Sequence, residues 1–142
     1  MATTNATISI SSDIMSYPVS ISKQMTMKKL GSSTGLEETT GLRTKKFSAV
    51  TETVVIEQDE FTSTKASKVY MRNTGSDATE FFYVAKHASA AAADTDAGAS
   101  GIIIGKLYGG DWMLIPYLAD VNITVASSST DPVVLEYMVF AE

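Results

Sequence analysis

Apolar positions along this chain come in short runs, each closed by turn chemistry. Ile102–Tyr108, Trp112–Tyr117 and Val133–Phe140 are three such runs, and Val121–Val125 alternates apolar with polar. Gly109-Gly110-Asp111, Ala119-Asp120 and Ser127–Pro132 separate them. Runs of this length, rich in Val, Ile, Tyr and Phe and bounded by turn residues, predict strands. None is long or periodic enough for a helix. Four strands in about forty residues is the density of a β-sandwich or barrel. Upstream, Ser48–Ile56 predicts one strand or two, and Lys68–Arg72 a further strand that ends in the turn Asn73-Thr74-Gly75-Ser76. Thr79–Lys86 follows and is expected to pair with Lys68–Arg72 as a hairpin, in a register the long joining segment does not fix. His87–Ser100 is rich in Ala but ends in Asp, Thr and Gly, which predicts a long surface loop holding at most one helical turn.

The first third carries less apolar content. Thr7 to Ser11 alternates, as a short amphipathic strand or an extended arm would, and Asp13 to Pro18 breaks the pattern. Val19, Ile21, Met25 and Met27 then share one face with Lys23 among them, which predicts a bulge or a guarded edge strand. Gly31–Gly35 and Glu37–Gly41 are loop composition, with Leu36 and Leu42 as anchors. Residues 1–46 are therefore expected to form an N-terminal arm or peripheral strands, and residues 47–142 an antiparallel all-β sandwich.

Length sets one domain, large enough to bury a core without staples. There is no cysteine, so neither a disulfide framework nor a thiolate metal site is expected. The opening residues lack the basic and apolar regions of a signal peptide, and no apolar run approaches a membrane span. The formal charge is −5, unevenly spread: residues 1–72 hold nine Lys and Arg against seven Asp and Glu, residues 73–142 two against nine. Opposite halves of this kind can meet within the fold or between subunits. An acidic total argues against nucleic acid as a partner, because phosphate contacts need clustered cations.

Candidate chemistry is sparse. His87 is the one histidine; at a strand-to-loop junction it is expected to be an exposed imidazole, and no nucleophile elbow accompanies it. Asp94-Thr95-Asp96-Ala97-Gly98 opens like a calcium loop, but no Glu follows at the closing position. Asp111 and Asp120, or Asp77 and Glu80, would suit paired-carboxylate catalysis only if buried, and all four lie in predicted turns. The glycines at 101, 105, 109 and 110 lead into strands, so they predict turns or bulges rather than a phosphate cradle. No catalytic residue, metal or cofactor is expected. Phe81-Phe82-Tyr83 must send rings to both faces of a sheet, which asks for a subunit contact, cover by another segment, or, with Trp112 and Tyr108, a sugar platform. Phe82 is the candidate for subunit contact. Arg43, Lys45 and Lys46 are candidates for steering the chain onto an acidic protein, the alternative being a solvated edge.

Three segments carry a resemblance over the second half of the chain. The strand and turn Lys68–Gly75, the run Gly110-Asp111-Trp112-Met113-Leu114-Ile115-Pro116, and the closing Val134–Phe140 resemble, in this order, elements of small tailed-phage virion proteins. The resemblance implies a jelly-roll-like sandwich of about eight strands that decorates or cements a phage head, often as a homotrimer. Its partner would be the major capsid protein and its place the outer capsid surface, after assembly in the host cytoplasm. A tail or fibre component that binds a receptor or glycan is the first alternative, and a secreted polysaccharide hydrolase, against which the missing secretion signal counts, the second.

Overall fold

The computed structural model describes residues 3–14, 16–87 and 102–142. Eleven strands lie among them, and no helix. β1 (Asn5–Ser12) and β2 (Val19–Thr26) form a two-stranded ribbon by themselves. The other nine make two antiparallel sheets. One has the order β5 (Thr53–Ile56), β10 (Asn122–Ser127), β7 (Phe81–His87), β8 (Ile102–Tyr108). In the other, β11 (Val133–Ala141) pairs with β3 (Glu38–Thr39) and β4 (Arg43–Phe47) along one side and with β6 (Ser67–Asn73) along the other, and β9 (Trp112–Tyr117) closes the far edge of β6. Among the described residues, no helix is long and apolar enough to cross a membrane.

Alternation fixes which residues face inward. Along β11, Val133, Leu135, Tyr137, Val139 and Ala141 are buried while the residues between them are half-exposed. Side chains two apart share a face, so a strand covered on one side reads this way. Val69 and Met71 of β6 lie in register with Val139 and Tyr137 and complete the same inner surface. Phe82 and Val84 of β7, Ile123 and Val125 of β10, and Leu107 of β8 supply the opposing one, and all join a single core cluster. β10, with β5 on one side and β7 on the other, is buried along its whole length.

Tyr117 closes one end of the core, its hydroxyl donating to the Val121 carbonyl at 2.9 Å. Burial, reinforced by Glu60, Asp120 and Asp59, pushes that hydroxyl's pKa up to about 12. Asn73 ties the two sheets together. Its Nδ2 donates to the Leu107 carbonyl of β8 at 3.1 Å, and its Oδ1 accepts from the Gly75 amide at 2.9 Å.

One pairing expectation is overturned. Lys68–Arg72 and Thr79–Lys86 are not a hairpin: β6 and β7 lie in opposite sheets, because the chain crosses over after Asn73. Of the two readings of Lys23, the structure has the edge strand and not the bulge. All eight residues of β2 stay in step with β1, Lys23 opposite Ile8. An amine disrupts a face only where the face is packed, and this one is open.

Gly105, Gly109 and Gly110 behave as turn or bulge residues, and Gly101 lies outside the described residues. Gly110 has φ 86°, a conformation that side chains disfavour. A Cβ on Gly109 would stand 2.5 Å from the Asp77 carbonyl oxygen, so only glycine lets the β8–β9 turn close against that backbone. Gly105 adjoins the one register shift between β7 and β8. The β8–β9 turn also carries the chain from one sheet to the other, which is why the run of strands after residue 101 alternates between them. The expected loop His87–Ser100 lies, apart from His87 itself, outside the described residues.

Candidate functional site

The ribbon is the part of the molecule least absorbed by the core. Register pairs Ala6 with Met25, Ile8 with Lys23, Ile10 with Ile21 and Ser12 with Val19. Paired residues lie on the same face, so Ala6, Ile8, Ile10, Val19, Ile21 and Met25 make one apolar surface, interrupted only by Lys23 and Ser12. The opposite face is Asn5, Thr7, Ser9, Ser11, Ser20, Ser22, Gln24 and Thr26, with Thr26 Oγ1 donating to Asn5 Oδ1 at 2.9 Å. Five of the six apolar residues are exposed. At the tip Ile14 is 92% and Tyr17 85% exposed.

The base of the ribbon is fixed although its length is not covered. The Met27 amide donates to the Thr4 carbonyl and the Leu36 amide to the Met27 carbonyl, each at 2.8 Å, and both Met27 and Leu36 are buried. Lys29 and Glu37 form an ion pair at 2.8 Å. Glu142 joins this base to the body, its Oε2 accepting from the Leu30 amide at 3.0 Å and the Ala66 amide at 3.3 Å. Those bonds, the Leu30 amide foremost, hold the Glu142 carboxyl below its ordinary pKa. From this base the ribbon stands beside the β9 edge. Between them opens a groove of about 610 Å³, walled by Ala6–Ile10 and Lys23–Met25 on one side and by Trp112, Met113 and Leu114 on the other. Trp112 is 52% exposed there.

The residues singled out in the sequence lie elsewhere. Phe82 is fully buried inside the core, edge-on to Phe47 with ring centroids 5.1 Å apart. The outward rings of its strand are Phe81 and Tyr83, 4.9 Å apart, and Phe81 also meets Tyr108 at 5.1 Å. Lys106 lies over both, its Nζ 4.4 Å from the Phe81 centroid and 5.2 Å from that of Tyr83. Side chains of the neighbouring strand β8 thus provide much of the cover these rings ask for. Arg43, Lys45 and Lys46 do not form one patch. Arg43 and Lys45 share the parity of buried Phe47 and lie on the inward side of an edge strand, whereas Lys46 is exposed on the other face. Arg43 Nη1 pairs with Glu60 Oε1 at 3.0 Å, and Lys45 Nζ sits 5.9 Å from the Phe47 ring. Inward-pointing charges on an edge strand discourage further strand pairing.

His87 is not the exposed imidazole expected of it. It is part-buried on the outer face of β7, where its Nε2 lies 2.8 Å from Glu52 Oε1. Thr124 Oγ1 donates to the same carboxylate oxygen. Glu52 Oε2 has no hydrogen-bond partner among the described residues. The carboxylate stands between hydroxyl and imidazole, and no bond joins those two, so the cluster is not arranged as a nucleophile with its base. Nothing in the sequence pointed to Glu52, which is thirty-five positions from His87 and meets it only through the folded sheet.

The turn carboxylates bond locally. Asp111 Oδ2 accepts from the Tyr108 amide at 3.0 Å, and Asp77 Oδ1 accepts from the Thr79 amide and hydroxyl, each at 2.7 Å, which lowers the Asp77 pKa. Among the described residues no three His, Cys, Asp or Glu side chains gather as metal ligands. The calcium-like stretch Asp94–Gly98 falls outside those residues. No protein-family model, curated protein or solved structure matches this chain.

Proposed function

We propose that this chain is a structural protein that works by adhesion: a decoration protein of a tailed-phage head. In this reading it binds the outer surface of the major capsid protein as a homotrimer, is assembled in the host cytoplasm and ends on the virion. The observation that carries the proposal is the N-terminal ribbon, an amphipathic two-stranded element with a fixed base and an open apolar face. A two-stranded hairpin is at best marginally stable in water by itself. One held out from its own core, greasy side uncovered, suits a larger assembly that supplies the missing layer.

Strand order supports the jelly-roll part of the reading. Counting β4 as the first of eight body strands and β11 as the last, one sheet runs first, eighth, third, sixth and the other second, seventh, fourth, fifth. That is the order obtained when a long antiparallel hairpin is rolled into two facing sheets, the double Greek key of jelly rolls. The test is to mix purified protein with undecorated phage heads and measure bound copies per capsid. Saturation at a fixed ratio is expected, and absence of binding overturns the capsid assignment.

One observation favours a second reading, a receptor- or glycan-binding part of a tail or fibre. Trp112, the lone tryptophan, is half exposed in the groove beside Thr7, Ser9 and Gln24. A sugar stacked there would quench tryptophan emission saturably, and a flat titration across a panel of glycans removes this alternative.

A further inference from the structure

We propose that the groove beside β9 is a docking site for the ribbon of a second copy of this chain, so that neighbouring copies are held together ribbon against ribbon. The inference deepens the adhesive role proposed above and rests on it. Both walls of the groove are largely apolar. Its inner wall is the ribbon face itself, and its outer wall is Trp112 with Met113 and Leu114. An element laid over such a slot is flat and long, and needs to be apolar only on the side it turns inward. The chain makes an element of this description: the ribbon.

Size agrees. Aliphatic side chains occupy on the order of 100 Å³ each at interior packing density, so a groove of about 610 Å³ takes roughly the set that the incoming face presents: Ile8, Ile10, Val19, Ile21 and Met25. Area agrees as well. From their exposures these five residues and Trp112 offer roughly 500 Å² of apolar surface per chain, so mutual burial removes on the order of 1,000 Å², the lower bound of a specific contact. Charge is permissive. The chain carries −5 overall, which opposes self-association, yet the ribbon and its tip hold one Asp13 and one Lys23 and are neutral together. A contact confined to the ribbon therefore avoids like-charge repulsion. Lys23 can pack its stem on the face and keep its ammonium in water at the rim. Two sheets meeting face to face is also the ordinary way for a pleated surface to be covered.

The lone Trp112 reports on the contact directly. The full-length chain is measured by light scattering and by tryptophan emission across a dilution series, alongside the double variant Ile10→Ser/Ile21→Ser and the polar-face control Ser9→Ala/Ser22→Ala. Ile10 and Ile21 are register partners outside the core, so their replacement leaves the body folded, which a thermal melt verifies. Expected results are an oligomer for the native chain and the control, with emission shifting red as it dissociates, and a monomer of red-shifted emission for the double variant at every concentration, its association at least tenfold weaker. A native chain that is monomeric at 100-fold above the concentration used for head binding, or a double variant of unchanged mass, overturns the proposal. Failure here is separable from failure of the capsid reading. An oligomer that ignores phage heads keeps this contact and removes the capsid; a monomer that decorates heads removes this contact and keeps the capsid.

Discussion

Single residues divide sharply by which side of a strand they occupy. Phe81, Phe82 and Tyr83 are adjacent in sequence, yet Phe82 is sealed in the core and its neighbours lean on Lys106 and Tyr108. Truncating Phe82 removes the ring that packs on Phe47 and leaves a cavity, so Phe82→Ala is expected to lower stability by about 3–5 kcal/mol. Phe81→Ala, on the half-exposed face, should cost about 1 kcal/mol or less. Urea unfolding of both variants checks this, and equal effects would contradict the inward placement. The aromatic triplet shows what a sequence withholds at this scale. Period-two geometry says that one ring must face opposite to the other two, but only the partner strands decide which side holds the core. Glu52 is a second case. Its buried carboxylate serves both His87 and Thr124, so Glu52→Ala strands two polar groups and is expected to cost about 2–4 kcal/mol. Glu52→Gln retains an acceptor for both and should cost clearly less, as thermal melts at neutral pH will show.

Among elements, burial and sequence pattern part company. β11 is buried at alternate positions yet reads as an apolar run broken only by Glu136, and β10 is buried at every position yet alternates apolar with small polar residues. Their existence was plain in the sequence, because short runs rich in β-branched residues between turn signals mark strands. Their partners were not. β6 and β7 are consecutive strands that look like a hairpin, and the crossover at Asn73 that parts them depends on a bond to the Leu107 carbonyl far along the chain. The ribbon was legible as an amphipathic stretch, but the groove was not, since Trp112–Leu114 reach it only in the folded chain.

What orients the ribbon is its base, and there a titratable contact enters. Glu142 accepts the Leu30 and Ala66 amides and has its folded-state pKa lowered chiefly by the Leu30 bond. A group with a depressed pKa stabilises the fold above its unfolded value, ordinarily near 4.5, and that contribution disappears as pH falls through the lower folded value. Acidification through that lowered folded value is therefore expected to release the Leu30 amide, seen as an upfield shift of its proton resonance in a pH titration. Glu142→Gln should abolish the titration step. A Leu30 amide that ignores pH in the native chain would remove Glu142 from this role.

At the scale of the whole molecule the division of labour is between a body that folds and a ribbon that is presented. The core cluster runs from Phe47 to Val139 and contains no residue of β1 or β2. Among the described residues, the ribbon meets the body through its base, where Met27 and Leu36 are buried, and across the open groove. Stability should then be nearly independent of the ribbon, while association should depend on it. Deleting residues 3–26 removes exposed side chains, one antiparallel ladder that bonds to nothing but itself, and the Thr4 acceptor of the Met27 amide. Little of this is buried apolar area, so the loss amounts to about 1 kcal/mol, a shift of only a few degrees for a domain of this size. The shortened chain is expected to unfold in one cooperative transition within about 5 °C of the full-length midpoint, to run as a monomer, and to leave phage heads undecorated. Broad, non-cooperative melting would mean that the ribbon is part of the fold after all. Unimpaired decoration would mean that association through the ribbon is not needed for head binding.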